Sequence, residues 1–162
     1  MIALNPHGVT WYPDWIWGLP LIVLTSVIHI VGISLLVEKV ERVQNTFAVR
    51  DNHRVMSVVI IAVAVWLICV LLAIEALIWA AVYTLISALP DYGSAVLYSL
   101  GAMTTYGHAS LVLERRWQLL GALEALNGVL LFGVTVAGLT QIQKGRGLRA
   151  RVVQTHALRL RK

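Results

Sequence analysis

Three apolar runs constrain this chain more than any other feature: Trp15–Val37, Val55–Leu85 and Trp117–Ile142. Each is long enough to cross a bilayer, which takes about 20 residues. The first opens among Trp11, Trp15 and Trp17, a residue type that settles at the headgroup level. It lacks a basic leading region and is longer than the apolar core of a secretory signal, so it reads as a spanning helix. Glu75 alone interrupts the second run, and the third carries Glu124 and Asn127. With 59% apolar and 13% charged residues, and a mean hydropathy of +0.78, the composition lies outside the soluble range. The expected fold is an all-α integral membrane protein of one domain. Cys69 lies inside an apolar run and reads as a small hydrophobe.

Charge orients the three crossings, because Lys and Arg near helix ends stay on the cytoplasmic side. No Lys or Arg precedes Trp15, the connection from Glu38 to Arg54 carries Lys39, Arg42, Arg50 and Arg54, and the tail from residue 143 has seven basic residues and no acid. The N-terminus is therefore expected outside and the tail in the cytoplasm, with Arg115 and Arg116 as exceptions on the outer side. The expected organisation is an N-terminal helix and connection over residues 1–54, a second region over 55–142, and a basic tail over 143–162. That tail orients the chain and is a candidate for anionic lipid headgroups; nucleic acid is not expected as a partner.

Between the second and third runs, Pro90-Asp91-Tyr92-Gly93 makes a turn, and Ser94–Thr104 is too short to span. A short re-entrant helix is expected there, followed by Thr104-Thr105-Tyr106-Gly107-His108. Irregular backbone is tolerated at membrane depth only where protein buries it or where it lines a wet cavity.

Over roughly Val55–Ile142 the chain resembles the pore domain of tetrameric potassium channels. Tyr98-Ser99-Leu100-Gly101-Ala102-Met103-Thr104-Thr105 matches the family's approach to its filter, and Asn127-Gly128-Val129-Leu130-Leu131-Phe132-Gly133 resembles its inner helix. The family's filter reads Thr-Val-Gly-Tyr-Gly-Asp, whereas here Thr105 leads directly into Tyr106-Gly107-His108, two residues shorter. The resemblance implies a homotetramer with outer helix, pore helix, filter and inner helix, conducting K+ and, with fewer carbonyl rings, Na+ as well. Its ion-lining groups would be the carbonyls of Thr105, Tyr106 and Gly107 and the Thr105 hydroxyl, after Thr104. No cofactor is implied. His108 stands at the family's aspartate position, either as an ordinary loop residue or as a group through which outer pH acts. Gly128 and Gly133 serve either bending or close helix packing. So compact a pore suggests a prokaryotic plasma membrane.

Ionisable groups inside a membrane are costly without partners or water, so Glu75 and Glu124 are not expected to face lipid. Both fall in the outer part of the membrane. One or both are expected to brace the pore helix by hydrogen bonds, the alternative being a pairing that serves packing alone. Gly121, Glu124, Gly128, Leu131 and Thr135 share one stripe at helical spacing. Thr25, Ser26 and His29 share a face of the first helix expected to pack on the pore region. The histidines His7, His29, His53, His108 and His156 are scattered and form no metal site or enzyme-like constellation. The alternative to a channel is a non-conducting accessory protein with a degenerate filter.

Overall fold

A computed structural model describes residues 12–47, 53–107 and 110–159, with the side chains of 44–47, 53–57 and 143–159 outside that description. His108 and the side chains of the basic tail therefore lie outside the described residues. All regular structure among them is helical: α1 (Tyr12–Phe47), α2 (His53–Leu85), α3 (Tyr92–Met103), a 3-10 turn (Arg115–Trp117) and α4 (Gln118–Arg159). Three stretches, Tyr12–Val43, Val58–Leu85 and Arg115–Ile142, are long and apolar enough to cross a membrane. Along α1 and α2, Val23, Val27, Val31, Val59, Val63 and Trp66 are exposed, an apolar surface that suits a membrane protein.

α1 and α4 run further than their apolar runs. Beyond Val37 the charged stretch from Glu38 keeps helical bonding, with the exposed i,i+4 pair Glu38 and Arg42 in contact. Pro20 lies inside α1 and removes one rung of its ladder, a loss that transmembrane helices tolerate. Past Ile142, α4 continues through Gly145 and Gly147 to Arg159.

α2 stops in a Schellman motif. Ala88 N–H donates to Tyr83 O (2.9 Å), Ser87 N–H to Thr84 O (3.1 Å), and Ser87 takes the left-handed conformation at φ 54°. Pro90 follows, a residue that cannot continue the helix. Asp91 then starts α3: its Oδ1 accepts from Ser94 N–H (2.9 Å) and its Oδ2 from the Ser94 hydroxyl (2.7 Å). At 12 residues α3 is about 18 Å long, too short to cross hydrocarbon.

The helices divide between two compact units. The first takes the chain up to His29 with Val70–Phe132, and the second takes Ile30–Cys69 with Gly133 onward. The core of the first is built on Trp79, Tyr83, Ala95, Trp117 and Leu120. Tyr83 meets Tyr98 edge-on, with ring centroids 5.5 Å apart. In the second unit Ile33, Val37, Val40, Ala64, Ile68 and Ile142 are buried, and Gly138 lets α4 approach the Ile33 side chain.

Candidate functional site

α3 ends at Met103, and the chain then turns by using its own helix carbonyls. Thr104 donates its N–H (3.1 Å) and its hydroxyl (2.6 Å) to Leu100 O. Thr105 N–H donates to Ala102 O (3.0 Å), and Gly107 N–H reaches back to Gly101 O (3.1 Å). Thr105 (φ 58°) and Gly107 (φ 70°) both lie in the left-handed region, which costs a non-glycine residue such as Thr105 about 1–2 kcal/mol. Tyr106 between them is 83% exposed. Beside this segment lies an open hollow of about 400 Å³, walled by small residues of α3 and α4 that include Gly101, Ala102, Gly121, Ala122 and Ala125.

α3 is held from behind by a fully buried carboxyl group. Glu124 on α4 accepts from the Tyr83 hydroxyl of α2 at 2.7 Å and contacts the Ser99 hydroxyl of α3. Ser99 Oγ also lies 2.9 Å from Ala76 O of α2, so one cluster ties three helices together. Glu75, equally buried, does not join it. His29 Nδ1 of α1 lies 3.0 and 3.2 Å from its two oxygens. Of the two carboxyl groups considered as braces, Glu124 contacts α3 and Glu75 is engaged with the first helix. The buried pairing has a physical logic: in hydrocarbon each group supplies the partner that water cannot.

The polar face of α1 makes a second contact, on α4. Asn127 Nδ2 donates to Thr25 Oγ1 at 2.8 Å, and Ser26 Oγ lies a long 3.5 Å from Asn127 Oδ1. Near the start of α1, buried Asp14 accepts from the backbone N–H of Leu120 at 2.9 Å, satisfying an open donor in the first turn of α4. A carboxylate suits that position because a helix N-terminus is electropositive.

The stripe on α4 is its inward face. A Cβ at Gly121 would run into the Tyr98 hydroxyl, and one at Gly128 into the backbone of Met103. Leu131 and Thr135 are buried further along. Gly133 has open space around it, and α4 runs through both Gly128 and Gly133 without a break. Gly128 thus has a packing role in its own right.

Reading the sequence missed Asp14 and Tyr83 and left Asn127 without a role. A lone acid entering an apolar run and an amide inside one were visible signals; their partners, about a hundred residues away, were not. Among the described residues no group of three or more His, Cys, Asp or Glu could hold a metal ion. No family model, curated protein or solved structure matches the chain.

Proposed function

We propose that the chain is one subunit of a homotetrameric channel for monovalent cations, in which the carbonyls of Thr105, Tyr106 and Gly107 line the ion path. One observation carries this reading: a helix too short to span lies between two spanning helices, and it ends in a segment with left-handed backbone at Thr105 and Gly107. The strain at Thr105, a non-glycine residue held left-handed, is of the kind that gathers at functional sites. Carbonyl rings from four copies would replace an ion's hydration shell. The Ser99–Glu124–Tyr83 cluster supports the reading because it fixes α3 to its neighbours, and a filter needs a rigid base. The exposed face of α4, with Leu126, Val129, Leu130 and Phe132, is available to neighbouring copies. In this reading α3 is re-entrant from the outer side, the N-terminus is outside, and the tail is cytoplasmic in a prokaryotic plasma membrane.

The test is cation flux into liposomes holding the purified protein, with K+ or Na+ as the only permeant ion. Flux of K+ with appreciable Na+ is expected from so short a filter. Gly107→Ala should lower it about tenfold, since alanine resists the left-handed conformation by about 1–2 kcal/mol. An intact tetramer that passes neither ion would replace this reading with that of an accessory protein.

A further inference from the structure

α1 has no counterpart in the outer helix, short helix and inner helix that make up the pore reading, yet its polar groups are spent on α2 and α4. Thr25 and His29 are fully buried, and the partners of both are buried as well. The contact with Asn127 is directional. The single proton of the Thr25 hydroxyl goes to Leu21 O at 2.8 Å, so Oγ1 is left to accept, and Asn127 must present its NH2 group.

The next residue on α4 is Gly128, where the Met103 backbone rests with no room for a Cβ. Met103 is the last residue of α3, and Thr104–Gly107 follows it directly. One short stretch of α4 is therefore held by α1 through its amide and carries the end of α3 on its glycine.

We infer that α1 positions the Thr104–Gly107 segment and that Asn127 is the positioning residue through which it acts. Shifting or releasing the amide moves the glycine on which Met103 sits, and the segment beyond loses its seat. As a control of conduction this rests on the channel reading; as control of the segment it does not.

The experiment compares wild type, Thr25→Val, Thr25→Ser and the pair Thr25→Val/Asn127→Leu, each as the full-length protein. Valine keeps the shape of threonine and removes the acceptor. Three readouts are taken: melting temperature, amide exchange over residues 104–107, and K+ flux in liposomes. The amides of Thr104, Thr105 and Gly107 are all hydrogen-bonded and so report on the segment. Thr25→Val should speed their exchange and change flux by about fivefold, the scale of one transmembrane hydrogen bond. Thr25→Ser should restore both. In the double variant no amide is left unmet, so its melting temperature should recover while exchange and flux stay altered. Wild-type exchange in Thr25→Val, or exchange that recovers together with melting temperature in the double variant, overturns the inference. A wild type that conducts nothing sinks the channel reading alone, and the exchange measurement still decides this one.

Discussion

At Gly128 α4 has no room for a side chain, because a single carbon would meet the carbonyl oxygen, Cα and carbonyl carbon of Met103. Backbone yields less readily than a side chain, so Gly128→Ala should destabilise the protein by about 1–3 kcal/mol. Gly133→Ala meets nothing within 4 Å and should be neutral or stabilising, by up to about 1 kcal/mol, as alanine is the better helix former. Thermal melting of the two purified variants checks the contrast. The His29–Glu75 pair obeys a different rule. Removing one partner of a buried hydrogen-bonded pair leaves the other unmet at a cost of about 1–3 kcal/mol, while replacing both by apolar groups of similar shape can be nearly neutral. His29→Leu should therefore melt well below wild type, and His29→Leu/Glu75→Leu should recover most of the loss.

At the scale of elements, α3 depends on its first residues. The Ser94 hydroxyl and then the Ser94 N–H donate to the Asp91 carboxylate and hold its pKa below the ordinary aspartate value. A lowered folded-state pKa means that the ionised cap stabilises α3 fully above the ordinary value of about 3.9 and that this contribution fades as pH falls through the lowered one. Protection of the amides in the first turn of α3, taken against the intrinsic exchange rate at each pH, should fall at acid pH in wild type. In Asp91→Asn, which still accepts a bond but has no carboxyl group to titrate, that dependence should be absent. The helices were legible because apolar runs and turn residues are local signals. Trp15–Val37 became Tyr12–Phe47, and the third run extended to Arg159, because hydropathy marks what enters hydrocarbon whereas helical bonding continues through charged residues. Glu124 and Glu75 were legible as groups needing partners. Which partner each takes was not, since Ser99, Tyr83 and His29 lie 25, 41 and 46 residues away and helical periodicity gives no information on which helices adjoin.

For the molecule as a whole, three helices among the described residues are long and apolar enough to span, and three crossings would put the two ends of the chain on opposite faces. Lys and Arg bias predicts the tail inside. Cysteines placed one at a time near residues 5 and 155, in a variant lacking Cys69, should react with an impermeant thiol reagent on intact cells only at the N-terminal site. Labelling of the C-terminal site alone would invert the topology and place α3 on the cytoplasmic side.

The contact between Asp14 and Leu120 also sets a clock. Its two ends are 106 residues apart in the chain, and synthesis proceeds at about 5–20 residues per second, so the carboxylate emerges roughly 5–20 s before its amide partner exists. Thr25 and His29 wait in the same way for Asn127 and Glu75. During synthesis the first helix thus presents polar groups whose partners come later, Glu75 with α2 and then Leu120 and Asn127 with α4, so a chain truncated before α4 leaves Asp14 and Thr25 without those contacts.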